Sequence, residues 1–460
     1  MKQAIIALFV STFFCISFAD PNTDLVSACK QGNLEAVKKT IDAGADVNKI
    51  GADGNSPIAS AFFWPEIVQL LLDKGADPNG GNYPALISAC NSYSVNVVEM
   101  LLQKGADPNK PGKVDPGTTF RTLIAAEKAK GKKANEAAIK AWEGALANSK
   151  PSEVTAIQVT VQQTNCVPCL QKILEKGAKI QSSSADNSNL AHNFAAFSMT
   201  AEERKAQYKN GKPAMESFGL KVPDWYADLP ATANGTPAQM FELLKNANVD
   251  INQKNASDYT PLLVALVSGK LDAAKAIVAA GADVNHLTKD KKSALSLAAK
   301  RGDLALVNLL IERGADVTHE TWDLDNTTGQ YAKGFTALSY AVIYNHLEVA
   351  KALLAAGCKE TEGISGYFVA PNGCAYDLSK KSSIYFAIEN NNMEMVKMLA
   401  DANNFWMNHQ MEMKARTGKM GKGSAEKGEC LMAGGKFSPS KYAKELGFKE
   451  IQKYLESKGK

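Results

Sequence analysis

A five-residue phrase, Gly-Ala-Asp-Val-Asn, stands at residues 44–48 and again at 281–285, and its variant Gly-Ala-Asp-Pro-Asn stands at 75–79 and 105–109. Weaker copies lie at 177–181, 249–252 and 314–318. A phrase returning at intervals of about 30 residues marks an array of stacked supersecondary units. A unit that short cannot bury its own apolar face, so the copies must stack on one another. Such arrays present surfaces that hold partners and do not form closed pockets for chemistry.

The phrase has physical content. Glycine ends a helix because it enters the left-handed region without steric cost. Asp and Asn then hydrogen-bond the backbone of a tight turn. Upstream of the copies, segments such as Leu34-Glu35-Ala36-Val37, Leu271-Asp272-Ala273-Ala274 and Leu347-Glu348-Val349-Ala350 open amphipathic helices with apolar residues at i, i+3, i+4 and i+7. Further upstream, Ser56-Pro57-Ile58, Thr260-Pro261-Leu262 and Thr336-Ala337-Leu338 open a shorter helix. Ser or Thr caps it, and Pro is already shaped for its first turn.

On these residues the chain resembles the ankyrin-repeat family. The family pattern runs turn, Thr-Pro-Leu-His-x-Ala, helix, Gly-His, helix, Gly-Ala-Asp-Val-Asn. The resemblance covers the chain from about Asp24 to the C-terminus, interrupted by insertions. It implies an all-α solenoid of helix-turn-helix units with β-hairpin fingers and several loop insertions. The family's first-helix His is missing, with Leu263, Ser296, Ser339 and Tyr385 in its place. In the family that His ties neighbouring turns together, so the ties have to be made in another way here.

With 460 residues and 45% apolar content the chain has enough material for several globular domains, but the repeats argue for one continuous elongated core. Five divisions follow: a leader at 1–19, N-terminal repeats at 20–112, degenerate repeats at 113–257, C-terminal repeats at 258–437, and a capping unit at 438–460. Within the degenerate stretch, 123–126 with 137–146 reads as one unit and 155–181 as the next. The distance from Gly105 to Gly177 is 72 residues, close to two repeat lengths. Residues 189–197 and 237–244 read as the two helices of a further unit, separated by an insertion at 198–236. In the capping unit Phe448, Ile451 and Leu455 face inward, with lysines outward.

The N-terminus has the order of an export signal: Lys2, an apolar run from residue 4 to 14, and Ser17-Phe18-Ala19. The expectation is cleavage after Ala19, a periplasmic protein and no membrane anchor in the mature chain. Seven cysteines lie beyond that point. Cys29 and Cys90 follow the Ala of a first-helix motif and read as free core thiols. Cys166-Val167-Pro168-Cys169 reads as a local structural disulfide or a free pair, because it opens a second helix and does not follow a strand. Cys374 and Cys430 occupy matching positions, each eight residues before a helix-opening Ser, and are expected to bridge neighbouring fingers, with Cys358–Cys374 the competing pair.

Three connections after second helices are swollen, at 319–333, 360–380 and 404–436. In the family these connections are hairpin fingers along one edge of the concave face. Three in succession build one enlarged surface, and aromatics on exposed loops are candidate interface anchors. The expected partner contacts are Trp322, Tyr331, Tyr367, Phe368 and Trp406, with the basic residues Arg416, Lys419 and Lys422 set against an acidic rim. The competing reading has the same aromatics packing against neighbouring fingers. From Lys414 to Lys460 there are 12 Lys/Arg against 5 Asp/Glu, although the whole chain carries only +4. The leading reading of such an end is a solvated lysine face, and the sharper one is electrostatic steering toward an acidic partner.

No Gly-x-Ser-x-Gly, His-Glu-x-x-His or phosphate-loop motif occurs, and none of the five His sits near a second at ligand spacing. His286 and His319, at matching positions after their turns, read as solvent-facing. Met407-x-His409-x-Met411-x-Met413 has soft-metal donors, but its alternation equally fits a strand with one apolar face. The expectation is a non-enzyme with no catalytic residues, no metal and no cofactor. It is monomeric on its own, binds a protein partner and binds no nucleic acid. An exported chain of this kind resembles the exported ankyrin proteins, a group that includes guards against wall-cleaving endopeptidases. The leading function is therefore an inhibitor or immunity-type partner of an exported enzyme, best candidate a peptidoglycan hydrolase. A non-inhibitory scaffold and a Met-rich copper carrier are the alternatives.

Overall fold

The computed structural model describes residues 20–459 except 52–53, 115–123, 126, 129–130, 132–134, 149–151, 165, 181–185, most of 199–219, 224–234, 326–329, 360–362, 370–374, 403–409 and 416–434. The chain divides into two units. The first is Met1–Gln181 with Phe197–Leu243, and the second is Ser182–Ala196 with Leu244–Lys460.

The first unit stacks pairs of antiparallel helices. These are α1 (Pro21–Gln31) with α2 (Leu34–Asp42), α3 (Pro57–Ser60) with α4 (Pro65–Asp73), and α5 (Ala85–Asn91) with α6 (Val95–Gln103). Each pair is opened as its sequence requires. Pro57 takes the first helical position, and the Ser56 hydroxyl accepts from the Ala59 amide at 3.3 Å. Leu25, Val37, Ile67, Leu71, Val98 and Leu101 have essentially no exposed surface and form the core between layers.

The stretch between α6 and the next layer corrects the sequence reading. Strand β1 (Gly112–Val114) pairs antiparallel with β2 (Ser152–Val154), so the chain leaves and re-enters the stack at one finger position. Helix α7 (Glu136–Asn148) lies between these strands in the chain and buries Ile139. The following pair, α8 (Ala156–Val159) and α9 (Val167–Glu175), packs directly on α5 and α6. The unit read at 123–126 with 137–146 is therefore not the next layer on α5 and α6, and the 72-residue interval is one repeat plus a long finger.

The second unit opens with α10 (Leu190–Phe197), and it takes only the last turn of α11 (Pro237–Asn246), whose residues up to Leu243 belong to the first unit. Five pairs follow: α12 (Pro261–Val267) with α13 (Leu271–Ala279), α14 (Ala294–Arg301) with α15 (Leu304–Glu312), α16 (Ala337–Ile343) with α17 (Leu347–Ala355), α18 (Ser383–Glu389) with α19 (Met393–Ala402), and α20 (Pro439–Glu445) with α21 (Lys449–Lys458). First helices stack on first helices and second on second. The last pair closes the unit as a cap should, with Ile451 and Leu455 buried and lysines at 444, 449 and 453 exposed. Phe448, expected inward, is half-buried at the start of α21.

The missing inter-repeat ties are supplied by the Asn that ends each phrase. Within a turn, Asp accepts from the amide two residues on, as Asp77 Oδ1 does from Asn79 N–H at 2.8 Å. The Asn side chain then reaches forward. Asn48 Nδ2 donates to the Gly75 carbonyl at 3.1 Å and its Oδ1 accepts from the Asp77 amide at 2.7 Å. Asn79 does the same to Gly105 and Asp107, Asn109 to Gly177 and Lys179, and Asn285 to Gly314 and Asp316. A primary amide carries an N–H donor group and a carbonyl acceptor on the same carbon, so it can close this two-point clasp on a backbone.

The histidines add a second row. His286 Nε2 lies 3.0 Å from the Asp258 carbonyl and His319 Nε2 2.8 Å from that of Lys291, each one repeat back. The sequence reads both as solvent-facing; both are half-buried and hold the preceding turn. His192 also corrects the sequence reading, because one layer does keep a first-helix His. Its Nδ1 is 2.9 Å from Asn189 Oδ1 and its Nε2 2.9 Å from the Tyr259 carbonyl in the next turn. Ser296 and Ser339 take the same place in their helices and close capping boxes with Ser293 and Thr336.

Candidate protein-binding surface

The three swollen connections are β-hairpins: β3 (Thr321–Asp325) with β4 (Gln330–Phe335), β5 (Ile364–Val369) with β6 (Ala375–Lys381), and β7 (Met411–Ala415) with β8 (Gly435–Phe437). They do not stand apart. β4 pairs with β5 and β6 with β7, so all six strands form one antiparallel sheet in the order β3-β4-β5-β6-β7-β8. Sequence reading anticipates the hairpins but not their fusion.

Glycines permit the fusion where the fingers leave the helices. Gly334 has a φ of +87°, and a Cβ there would lie 2.7 Å from the Gly363 carbonyl oxygen. Any side chain at this point would separate the first finger from the second.

Side chains from the helical layers hold the sheet base. Tyr385, fully buried at the first-helix His position, donates its hydroxyl to the Phe437 carbonyl at 2.7 Å and accepts from the Met411 amide at 3.2 Å. One phenol thereby joins α18 to both strands of the last finger, and burial pushes its pKa well above the ordinary tyrosine range. Lys381, 2% exposed at the end of β6, lies 4.1 Å from the Phe386 ring centroid and donates to Glu389 at 2.6 Å. Glu389 also accepts from the Tyr442 hydroxyl of the capping pair. A buried ammonium is tolerated only when paired in this way. Sequence reading misses Lys381, because a lysine beside a loop reads as solvated.

The register places Trp322, Tyr331 and Tyr367 of the expected contact residues on one face of the sheet and Phe368 on the other. Tyr331 stands opposite Tyr367, Phe368 follows it opposite Tyr376, and Trp322 stands opposite Lys333, two residues from Tyr331. Trp406, Arg416, Lys419 and Lys422 lie outside the described residues, as do both members of the expected Cys374–Cys430 bridge. Both sheet edges are protected against strand addition. A register shift at Thr321/Trp322 interrupts the ladder at one edge strand, and the other edge strand, β8, is only three residues long. A partner is thus offered a face of the sheet, not its edge.

The remaining sequence candidates have structural roles. Cys166 and Cys169 form a disulfide across the first turn of α9, and both are completely buried, which leaves the sulfurs no access to a substrate thiol. Cys29 and Cys90 are free and buried, and burial pushes each thiol up to about 12. Met411 is buried at the start of β7, as the strand reading of the Met-rich run requires, while Met407 and His409 lie outside the described residues. No cluster of three or more His, Cys, Asp or Glu suited to a metal ion exists among the described residues. No described helix is long and apolar enough to cross a membrane.

Comparison with known families agrees with this architecture. The model of ankyrin repeats in three copies matches residues 25–111 and 230–321, and the single ankyrin-repeat model matches 333–360. The chain is built of ankyrin repeats. A curated relative, cyclin-dependent kinase 4 inhibitor B of Bos taurus, is 37% identical over 59 residues, which is 13% of this chain and 45% of that protein. The chain thus matches less than half the length of that relative. Ankyrin repeats are protein-binding modules, and the fused finger sheet is the surface that distinguishes this array.

Proposed function

We propose that this ankyrin-repeat protein is exported to the periplasm, where it binds and blocks another exported protein. The best candidate is a peptidoglycan endopeptidase. The observation that carries the reading is the fusion of three fingers into one sheet whose register sets Trp322, Tyr331 and Tyr367 on one face. A rigid aromatic-bearing sheet is the kind of surface in which hot spots concentrate. The leader-like residues 1–19 support export, and the name of the bovine relative supports inhibition as a mode of action. Such a surface blocks by occupancy, so inhibition is stoichiometric and competitive with substrate.

The test is capture of partners from periplasm on the intact protein, followed by activity assays of each partner at saturating protein. Trp322→Ala and Trp406→Ala should each weaken capture by more than about fivefold, the equivalent of roughly 1 kcal/mol, with the fold retained. Partners that keep full activity when saturated overturn the inhibitory reading and leave a scaffold. Unchanged affinity in both variants moves the site off the fingers.

A further inference from the structure

The first helices of the second unit carry another surface, at the end away from the fingers. Thr336 begins α16 where the finger ends, and Tyr344 closes it eight residues later, about 12 Å along the axis. Tyr344 is 46% exposed and Val267, at the end of α12, is 48% exposed. Both are among the few large apolar side chains so open to solvent in the described residues. Between them stand the last residues of α14, Lys300 and Arg301.

These residues form one contiguous strip. Arg301 Nη2 donates to the Val267 carbonyl at 3.1 Å, and Lys300 Nζ lies 5.3 Å from the Tyr344 ring centroid and 5.8 Å from that of Tyr340. The guanidinium is therefore held over the end of α12 and the ammonium over the aromatics of α16. Neither cation has a carboxylate within ion-pairing distance among the described residues. The acids nearby in the array are already engaged: Asp303 pairs with Lys275 at 2.7 Å and Glu389 with Lys381 at 2.6 Å. His346 spends Nε2 on the Lys300 carbonyl at 3.3 Å, which fixes the turn below the strip.

We infer that the Val267–Lys300–Arg301–Tyr344 strip is a second docking site that takes an acidic segment of a protein partner bearing one apolar side chain. Two fixed cations without counterions select carboxylates. The exposed Val267 and Tyr344 on either side reward an apolar group placed between acids, and an aromatic already carrying a cation loses little freedom on binding. This site is independent of the finger sheet.

The test uses the full chain and three fluorescein-labelled dodecapeptides read by anisotropy: Glu/Asp residues around a central Leu-Trp, the same centre among Lys/Arg, and the Glu/Asp frame with a Ser-Ser centre. The first should bind at least about tenfold tighter than the other two. Lys300→Glu/Arg301→Glu should weaken it by more than about tenfold and Tyr344→Ala by about fivefold, while the charge-matched Lys441→Glu/Lys444→Glu control leaves it unchanged. Lys300→Gln/Arg301→Gln, which removes charge without adding repulsion, should also lose affinity, and circular dichroism checks that each variant is folded. Absence of binding overturns the proposal. So does equal binding of the Ser-Ser peptide or of a thymidine dodecamer, which would show general polyanion attraction, or equal loss in the control.

Discussion

Substituting Asn109 by Ala tests both the Asn clasp and the corrected repeat order. In the native protein Asn109 Nδ2 donates to the Gly177 carbonyl at 3.1 Å and Oδ1 accepts from the Lys179 amide at 2.6 Å, across a sequence gap of 70 residues. Alanine removes both bonds. At a half-buried site each contributes a net 0.5–1.5 kcal/mol, so the loss should be about 2 kcal/mol. Native-state amide exchange at Lys179 is the sharpest assay. Its protection should fall by about thirtyfold, since 1.4 kcal/mol is a factor of ten, while amides of the preceding turn at Asp107 and Asn109 change little. Asn109→Asp is the complementary variant. It keeps the acceptor for the Lys179 amide but sets a carboxylate oxygen against the Gly177 carbonyl, so it should destabilise while Lys179 stays protected. If Asn109→Ala leaves Lys179 protected and exposes amides near residues 136–148, then the insertion does stack as a repeat and α8 with α9 is not the next layer after α5 and α6.

Four other outcomes are expected. Burial pushes the Cys29 and Cys90 thiols up to about 12 from near 9 when unfolded; above pH 9 these thiols release protons in the unfolded chain first, so stability should fall as pH rises, by about 1.4 kcal/mol per thiol at pH 10, readable in urea titrations and removed in the Cys29→Ala/Cys90→Ala variant, which keeps the fall above pH 10 that Tyr83 and the buried Tyr385 cause. Non-reducing peptide mapping should find Cys166 linked to Cys169, and the link should survive a phosphine reductant in the native protein but not in urea, because both sulfurs are buried. Tyr385→Phe should cost about 1–3 kcal/mol and raise exchange at the Met411 amide, since it strips one partner from each strand of the last finger. Val222→Asp should release the segment around Lys221, whose amide donates to the Lys30 carbonyl at 3.0 Å in the first repeat, and limited proteolysis should then cut there first.

The repeats are legible in the sequence because each phrase encodes its own turn. Gly in the left-handed region, Asp on the backbone and Asn beyond it are local requirements, and local requirements survive in sequence. The clasp itself is hidden, because the partner of Asn109 is set by which layer comes next. The misplaced repeat shows the same limit from the other side. Residues 109–177 contain no second copy of the phrase, and that absence is a better guide than the 72-residue interval. His192 escapes notice because Asn189-Leu190-Ala191 replaces the Thr-Pro-Leu that usually announces it. Of the candidate surface, the hairpins and their aromatic positions can be read, since alternating strands flanking a swollen connection are local. Tyr331 opposite Tyr367 cannot, because pairing between fingers depends on the spacing of the helices beneath them.

That spacing gives a physical reason for the fused sheet. Packed helices lie about 8–10 Å apart, and two strands of a hairpin occupy about 2 × 4.8 Å. One hairpin per layer therefore fills the distance to the next layer, with nothing left over. Short turns, such as those at Asp77 or Asp283, end before they can use this match and need the Asn clasp. Once a finger is long enough to become a hairpin, its outer strands fall within hydrogen-bonding distance of both neighbours, and the ladder takes over the role of the clasp. The sequence follows this division: the phrase is intact at 281–285, is weakened to Gly-Ala-Asp-Val-Thr at 314–318, and is gone after Gly357, where the long fingers begin. A backbone ladder between layers is also stiffer than one side-chain amide. The second unit thus couples its C-terminal layers twice, through helix packing and through the sheet, and Tyr385 and Lys381 lock the two couplings together. A protein-binding surface gains from that stiffness, because each group ordered in advance is entropy that binding does not have to remove.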